Sequence, residues 1–246
     1  MNRPAAPARV LRPRRLTTIG FDADDTLWHN ERSFQDTQAR FRALLADHAD
    51  PDHLTERLLA AERRNLGRYG FGVKGFVLSM IETALEVTEN RVPGPVIAER
   101  IAAGQDMLAH PTELLPHVRP TLDALAGRFR LIVITKGDLL DQERKVAQSG
   151  LGEMFDAVEI VSDKTPDVYA RVFARHGDGA DRAMMVGNSL KSDVLPALAA
   201  GAVAVHVPHD LTWAYERAEP PSTADDFHEL PDLAPLPELV DAYLPA

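Results

Sequence analysis

The chain has 246 residues, 45% of them hydrophobic, with a formal net charge of −10 and no cysteine. This length suits one large domain, or a domain with a sizeable insertion, and the composition is typical of a folded globular protein. The acidic balance argues against nucleic-acid binding. The apolar runs are shorter than the ~20 residues of a membrane span. The absence of cysteine excludes thiolate chemistry and suits the cytoplasm.

The first fifteen residues, MNRPAAPARVLRPRR, differ in charge from the rest of the chain. They hold five arginines and no acidic residue, so the remainder carries a formal charge of −15. The segment lacks the apolar core of a signal peptide and is rich in proline. We therefore interpret residues 1–15 as a disordered basic tail.

A short apolar run, LTTIGF (16–21), is followed at once by Asp22, Asp24 and Asp25. The run has the length of a buried strand. Three carboxylates within four positions repel one another, and some should protonate unless a cation or a fixed partner lies nearby. The cluster is therefore either an acidic turn or one half of a metal site.

About 105 residues without a convincing strand follow this first run. Their apolar spacing predicts helices, separated by glycine, proline and Asp/Asn clusters. We expect a helical insertion over residues 30–115, budding from the loop after the first strand. The predicted helices cover 33–49, 54–69, 75–87 and 96–110.

A glycine-rich stretch, GRYGFGVKGF (67–76), joins two of these helices and carries Arg68, Tyr69 and Lys74. Such a stretch is typical of a helix–helix turn. It also suits a flexible loop that closes on a site, in which case these three side chains are candidates for binding substrate. Lys74 is the only lysine within the insertion.

The second half of the chain alternates apolar runs with helical segments that mostly end on glycine. Alternation of this kind predicts parallel strands joined by right-handed crossovers. The predicted fold class is α/β, a Rossmann-like parallel sheet formed by residues 16–29 and 116–246. The further strands are predicted at 129–135, 157–161, 183–187 and 202–207, with helices at 139–150, 167–177 and 193–201.

Polar residues follow each of these strands, at the edge where ligands bind in an open α/β sheet. Thr135 and Lys136 end the second run, Lys164 follows the third, and Asn188 and Asp193 follow the fourth. We expect these side chains to converge with the aspartates that follow the first run. A site of carboxylates, a hydroxyl, a lysine and an amide is therefore predicted.

The set resembles the four motifs of the haloacid dehalogenase superfamily, whose members are mostly phosphohydrolases. Asp22-x-Asp24-x-Thr26 matches the first motif, and Thr135 matches the second. Lys164, placed before a proline, matches the third. Gly187-Asn188 with Asp193 matches the fourth, and the helical insertion is similar to the family's helical cap.

Three positions depart from the family pattern. Asp25 stands where glycine is usual, Lys136 stands where asparagine often follows the second motif, and Asn188 replaces an aspartate. The first change adds a negative charge beside the site, whereas the third removes one. The Asn188 side-chain oxygen can still accept a hydrogen bond, and Lys136 becomes a further candidate for binding substrate.

The resemblance implies a Mg²⁺-dependent phosphatase that acts on a small phosphorylated metabolite. Asp22 would be the nucleophile and Asp24 the general acid and base, with Thr135 and Lys164 holding the phosphoryl oxygens. Mg²⁺ would be held by Asp22, Asp193 and the backbone carbonyl of Asp24, and Asn188 would act through a water. No nucleic-acid or membrane partner is expected.

Other functions use a similar set of residues. A phosphomutase keeps all of them, and a phosphonate-cleaving relative would need a lysine of the insertion, such as Lys74, as a Schiff base. A true haloacid dehalogenase needs neither Mg²⁺ nor Asp24. A receiver-like or relic binding domain would share the acidic cluster without turnover.

Overall fold

The structure, a computed structural model, describes residues 15–221 and 225–244. Apart from Arg15, the predicted basic tail lies outside the described residues. The strands are β1 (Thr18–Phe21), β2 (Arg130–Lys136), β3 (Ala157–Val161), β4 (Ala183–Gly187), β5 (Val203–His206) and β6 (Phe227–Glu229). The helices are α1 (Glu31–Leu44), α2 (Pro51–Tyr69), α3 (Val73–Val87), α4 (Gly94–Ala109), α5 (Val118–Leu125), α6 (Leu139–Ser149), α7 (Pro166–His176), α8 (Leu195–Ala199) and α9 (Leu236–Asp241).

The six strands form one parallel sheet in the order β3-β2-β1-β4-β5-β6. The predicted α/β fold class is thereby confirmed, and five strands lie where the apolar runs placed them. β6 was not predicted, because its three residues, two half-exposed and one exposed, form no apolar run. The strand order reverses beside β1, between β2 and β4, which is the topological switch point at which open α/β sheets bind ligands.

Both faces of the sheet are buried, as a parallel sheet covered by crossover helices requires. Side chains alternate along each strand, so Ile19 and Phe21 of β1 pack toward α5 and α9. On the opposite face, Ile134 and Met185 pack against α7 and α8. Burial of both faces explains why the strands appear in the sequence as continuous apolar runs.

Helices α1–α4 follow β1 and pack on one another around a hydrophobic cluster of their own. The members of this cluster are Phe41, Leu45, Leu54, Leu58, Phe76, Met80 and Ala84. We refer to residues 31–109, which contain these four helices, as the helical insertion. None of the described helices, here or elsewhere, combines the length and apolar character that a membrane crossing requires.

The helices that return to the sheet start and stop with recognisable signals. Asp138 accepts a hydrogen bond from the Asp141 backbone N–H at the start of α6, and Gly150 ends that helix with a φ of 66°. Thr165 starts α7 in the same way, by accepting from the Val168 backbone N–H. The predicted helix 193–201 is instead a π-turn over residues 190–194 followed by the short α8.

Gly20, in the middle of β1, lies where α7 packs closest to the sheet. A Cβ atom there would lie 3.1 Å from both Ile134 Cδ1 and Phe173 Cε1, and 3.2 Å from Met185 Sδ. We predict that Gly20→Ala lowers the free energy of unfolding by about 1–2 kcal/mol through overpacking, and that Gly20→Val lowers it further. Urea denaturation measures both effects.

The matched control is Gly67→Ala in α2, where a Cβ atom meets nothing within 4 Å. This variant should raise the free energy of unfolding by about 0.5–1 kcal/mol, since alanine is the better helix former. If both Gly→Ala changes stabilise the protein, the close packing at Gly20 is not the constraint described here.

Candidate active site

A cavity opens where the carboxyl ends of β1, β2 and β4 face the helical insertion. The core contributes Asp22, Asp24, Asp25, Thr135, Lys136, Asp138, Gln142, Lys145, Lys164, Asn188, Ser192, Asp193, Trp213 and Glu216, among others. The insertion contributes Glu31, Phe34, Gln38, Glu62, Asn65, Phe71, Phe76 and Ser79. The structure therefore brings together the residues that the four motifs predicted, although they lie up to 171 positions apart.

Asp22 is the first of the three aspartates after β1 and is 7% exposed. Its Oδ1 accepts a short hydrogen bond from the Lys164 ammonium, and its Oδ2 accepts one from the Thr26 hydroxyl at 3.1 Å. The Asp22 backbone N–H donates to the Val186 carbonyl, which continues the pairing of β1 with β4. The backbone of the sheet thus fixes the position of this carboxylate.

Lys164 lies between two buried carboxylates that come from different strands. Its Nζ is 2.6 Å from Asp193 Oδ1 and also contacts Asp22, and the lysine is 5% exposed. The hydroxyl of Tyr169 donates to the Ser192 carbonyl at 2.9 Å and lies against the same cluster. One ammonium therefore faces two carboxylates, which leaves the group with a net negative charge.

Burial sets the protonation of this group. It raises the pKa of Asp22 to about 7, and the neighbouring Asp193 charge adds to that rise, whereas Lys164 opposes it. For Lys164 itself, burial lowers the pKa, but the charges of Asp193 and Asp22 outweigh it and the net pKa is raised. Lys164 stays charged, and Asp22 lacks enough nearby positive charge to be fully ionised at neutral pH.

Asp24 points away from Asp22 and has three hydrogen-bond donors of its own. Lys145 Nζ lies 3.0 Å from Oδ1, Trp28 Nε1 donates to the same oxygen at 2.7 Å, and Gln142 Nε2 donates to Oδ2 at 2.9 Å. Lys145 and Gln142 both lie on α6 and were missed by the sequence interpretation. Their i, i+3 spacing on the helix that follows β2 is a signal that could have identified them.

Asp25 adopts the left-handed conformation, with a φ of 60°. This geometry explains why glycine suits the position, since a side chain there costs energy. The carboxylate accepts hydrogen bonds from the backbone N–H groups of Asn30 and Glu31 at 2.9–3.1 Å, at the start of α1. Burial raises the pKa of Asp25 to about 6, although those N–H groups and His209 oppose the rise.

The loop after β4 leaves room for Asp193 to fold back on the strand. A Cβ atom on Gly187 would lie 2.3 Å from Asp193 Oδ2, so only glycine fits at that position. Oδ2 accepts from the Ser189 backbone N–H at 2.9 Å. The Asn188 side chain lies beside Thr26, with Oδ1 3.4 Å from the Thr26 hydroxyl oxygen, and its amide thus faces the first motif.

Thr135 is 1% exposed at the end of β2 and accepts a hydrogen bond from Gln142 Nε2 at 2.9 Å. The next residue, Lys136, points to the other side of the cavity. Its Nζ lies 2.7 Å from both Ser192 Oγ and Glu216 Oε1, and 4.1 Å from the centre of the Phe71 ring. The ammonium of Lys136 is therefore already neutralised by a partner within the chain.

Residues 211–216, the segment after β5, contribute side chains to the cavity and were not part of the predicted site. Glu216 also accepts from the hydroxyl of Ser189 at 2.6 Å, and its pKa is lowered because Lys136 and the two serine hydroxyls outweigh the effect of burial. Trp213 and Tyr215 pack against Phe71 of the insertion. This segment lacks a motif, so only its aromatic content could have marked it.

Arg68, Tyr69 and Lys74 do not line the cavity among the described residues. Arg68 and Tyr69 are exposed at the end of α2, where the Tyr69 hydroxyl donates to Glu82 at 3.2 Å. The Lys74 ammonium lies 2.9 Å from Asp138 Oδ2, in an exposed ion pair that links the insertion to the core. The glycine-rich stretch instead places Phe71 at the cavity.

The residues that could hold a cation are Asp22 and Asp193. Among residues 15–221 and 225–244, no cluster of three or more His, Cys, Asp or Glu side chains is arranged to enclose a metal. Mg²⁺ does not need one, because it usually keeps several waters and takes one or two carboxylates together with a phosphate. Two buried carboxylates that share a single ammonium are oxygen donors with unbalanced charge, and they fit such an ion.

A family model for haloacid dehalogenase-like hydrolases matches residues 16–201. The chain is 38% identical to a haloacid dehalogenase-like family hydrolase from Xanthomonas campestris, with a TM-score of 0.83, over 94% of this chain and 96% of that one. L-2-haloacid dehalogenase from Xanthobacter autotrophicus is 21% identical, with a TM-score of 0.63, over 92% of this chain and 98% of that one. The latter likeness concerns the fold alone.

Two curated relatives carry the name glyceraldehyde 3-phosphate phosphatase. The protein of Methanothermobacter thermautotrophicus is 31% identical over 132 residues, which is 51% of this chain and 58% of that protein. The protein of Methanopyrus kandleri is 25% identical over 201 residues, which is 78% of this chain and 84% of that protein.

Glu62 is the basis of a prediction about stability and pH. It is 8% exposed on α2, and burial raises its pKa from 4.5 to about 7. Below pH 4.5 the carboxyl is protonated in both states, and its burial does not lower the free energy of unfolding. The destabilisation grows between pH 4.5 and 7 and is at its full value above pH 7. Glu62→Gln should raise the free energy of unfolding by about 1–3 kcal/mol at pH 8 and leave it nearly unchanged near pH 4.5.

Denaturant titrations at the two pH values measure this difference. Glu56→Gln, an exposed residue on the same helix, is the matched control and should shift neither value. An equal gain at both pH values, or none at pH 8, would show that the Glu62 carboxylate is not strained by burial.

Proposed function

Because the chain belongs to the haloacid dehalogenase-like hydrolases, we propose that it is a Mg²⁺-dependent phosphohydrolase that cleaves small phosphate monoesters through an aspartyl-phosphate. The observation that carries this proposal is that Asp22 and Asp24, two residues apart after β1, face different partners. Asp22 faces Lys164 and Asp193, and Asp24 faces Lys145. Two carboxylates in such different surroundings suit two different chemical roles.

Asp22 is the nucleophile in this proposal. Its Oδ2 is held by Thr26, its Oδ1 by Lys164, and its backbone by β4, so the carboxylate is oriented before substrate arrives. Attack on phosphorus forms an O–P bond to Asp22 and breaks the bond to the leaving alcohol. Water then hydrolyses the aspartyl-phosphate and restores the carboxylate.

Asp24 carries the proton. It takes one from the water that attacks the aspartyl-phosphate, and the same proton then serves the leaving alcohol of the next turnover. Three donors, from Trp28, Gln142 and Lys145, hold the Asp24 carboxylate in place at the cavity. A haloacid dehalogenase has no use for this group, so its presence at the cavity favours phosphoryl transfer.

The phosphoryl oxygens would be held from the core. Lys164 offers an ammonium and Thr135 a hydroxyl, and both line the cavity at the carboxyl ends of the strands. These donors stabilise the charge that spreads over the phosphoryl oxygens during transfer. When bound between Asp22 and Asp193, Mg²⁺ would supply the positive charge that lets an anionic nucleophile approach an anionic phosphate.

The names of the curated relatives support a small phosphorylated substrate. Both are called glyceraldehyde 3-phosphate phosphatase, at 31% and 25% identity. At such identities we carry over the reaction class and the small size of the substrate. The choice of leaving group depends on the insertion, whose side chains line the other end of the cavity.

The activity is tested with an aryl phosphate, for wild type and Asp22→Asn, in Mg²⁺ and in chelator. Loss of the nucleophile should lower turnover by at least about 10³-fold. Chelation should have a comparable effect, and added Mg²⁺ should restore the rate of the wild type alone. Asp123→Asn, at an exposed position on α5, is the matched control and should keep wild-type turnover.

Turnover that persists in Asp22→Asn, or in chelator, would contradict the proposal. Thermal melts of both variants separate loss of chemistry from loss of fold. If wild type fails on aryl phosphates and releases chloride from a chloroacid, the protein is a dehalogenase.

Lys74→Ala tests the phosphonate-cleaving alternative, which requires a Schiff base on that residue. The Lys74–Asp138 ion pair is exposed, so its loss should change kcat/KM for an aryl phosphate by no more than about fivefold. Lys74→Arg, which keeps the charge but forms no Schiff base, is the companion variant. Loss of monoester hydrolysis in both, beyond about 10²-fold, would assign Lys74 a chemical role that an exposed ion pair does not explain.

A further inference from the structure

The wall that the helical insertion contributes to the cavity contains hydrogen-bond acceptors but no cation. No Lys, Arg or His of the insertion is among the described residues that line the cavity. The titratable groups of this wall are Glu31 and Glu62, and the polar neutral ones include Gln38, Asn65 and Ser79. An anionic leaving group would therefore meet no complementary charge on this side.

The orientation of Asn65 is fixed by its neighbours. Its Nδ2 donates to Glu82 Oε2 at 2.8 Å and to Ser79 Oγ at 3.1 Å, and the Ser79 hydroxyl is itself used to donate to the Gly75 carbonyl. Glu82 only accepts, so the amide cannot be turned round. The side chain is 1% exposed, and its Oδ1 has no hydrogen-bond partner.

An unpartnered buried oxygen of this kind is costly, commonly by about 1–3 kcal/mol. Asn65 lines the cavity, so a ligand that fills the cavity can reach this residue. Since a carbonyl oxygen only accepts, the group that satisfies it must carry an N–H or an O–H. Asn65 thus favours a hydroxyl or an amine on the ligand.

Glu31 and Glu62 add two carboxyl groups to the same wall. Neither forms an ion pair with Lys or Arg among the described residues, and the indole N–H of Trp213 donates to Glu62. Burial and the charge of Asp25 raise the pKa of Glu31 to about 7, and the charge of Glu62 adds to the rise. Both carboxyls line the same cavity. A cation or a group of hydroxyls bound beside them would lower the electrostatic cost of burying both carboxyls.

The lysines on the core side of the cavity are all engaged. Lys164 faces Asp22 and Asp193, Lys145 faces Asp24, and Lys136 faces Glu216. The described lining holds nine carboxyl groups against these three lysines. Once the phosphoryl group binds Lys164, no lysine of the described lining is left to pair with a second anionic group.

We propose that this cavity selects phosphate monoesters whose leaving alcohol is rich in hydrogen-bond donors and carries no negative charge, with Glu31, Glu62 and Asn65 as the specificity residues. The leaving group is a polyol or an amino alcohol, bound through its O–H or N–H groups to the insertion. This inference rests on the proposed phosphohydrolase activity and adds the class of leaving group to it. Esters of hydroxy acids and bisphosphates are excluded by charge.

The test compares two pairs of esters that differ in charge and little in size. In the first pair, glycerol 3-phosphate has a CH₂OH group where 3-phosphoglycerate has a carboxylate. In the second pair, O-phosphoethanolamine has an aminomethyl group where phosphoglycolate has a carboxylate. At pH 8, where Glu62 is ionised, a carboxylate about 4–5 Å from it should lower kcat/KM on the order of 10²-fold at an effective dielectric constant of about 20. An aryl phosphate serves as the reference for basal turnover.

The variants are Glu62→Gln and Glu31→Gln, which remove charge and keep shape. Each should lower the kcat/KM ratio of glycerol 3-phosphate to 3-phosphoglycerate, and Glu62→Gln should do so on the order of 10²-fold, because it removes the repulsion from that carboxylate. Glu56→Gln on the exposed face of α2 is the matched control and should keep the wild-type ratio. Because the readout is a ratio within each variant, a general loss of activity does not imitate the effect.

Each outcome decides the inference. High ratios in wild type for both pairs, lowered in the two site variants only, support it. The faster of glycerol 3-phosphate and O-phosphoethanolamine tells whether a polyol or an amine is preferred. Equal or faster hydrolysis of the carboxylate esters, with aryl phosphate turned over normally, overturns the inference and leaves the proposed function standing. Absence of turnover on all esters, aryl phosphate included, overturns both.

Discussion

The site depends on a single buried ammonium that two carboxylates share. Lys164 arrives from the loop after β3, Asp22 ends β1, and Asp193 follows β4, so the contact joins three parts of the sheet edge. Removing the lysine would leave two nearly fully buried carboxylates facing each other, and breaking a buried pair in this way typically costs about 3–5 kcal/mol. When both carboxylates are ionised, the same arrangement carries one unit of negative charge at the centre of the site. It therefore explains both why the loops hold their positions and why a divalent cation fits among them.

The crowding of Asp22, Asp24 and Asp25 is resolved by directing each carboxylate to a different partner. Asp22 turns to Lys164, Asp24 turns to Lys145 on α6, and Asp25 turns to the backbone N–H groups that start α1. Asp25 has a left-handed φ at the start of the turn formed by residues 25–27, and its carboxylate lies beside the N–H groups of α1. In the proposed reaction the cluster would supply a nucleophile and a proton carrier, and its third carboxylate caps α1. The last of these ties the helical insertion to the end of β1.

The residues at the core end of the site can be predicted from the sequence, because each follows an apolar strand and the same rule applies to every strand. Apolar runs define the strands, parallel pairing places their carboxyl ends together, and each polar residue directly after a run is carried to one edge. Lys145, Glu62 and Glu216 follow no such rule. Each lies on a helix or a loop, and its approach to the cavity is decided by how α2, α6 and the segment after β5 pack. β6 was missed for a related reason, since its residues are too few and too polar to form a run.

The two ends of the cavity therefore differ in charge as well as in origin. All three lysines of the described lining belong to the core, and the insertion offers carboxyl groups, amides and aromatic rings. Phe71 connects the two ends, because its ring lies over the Lys136 ammonium while Lys136 binds Glu216 and Ser192. A change in the position of the insertion must therefore alter the surroundings of the loop that carries Asp193. In the proposed reaction, this contact would couple selection of the leaving group by the insertion to orientation of the phosphoryl group by the core.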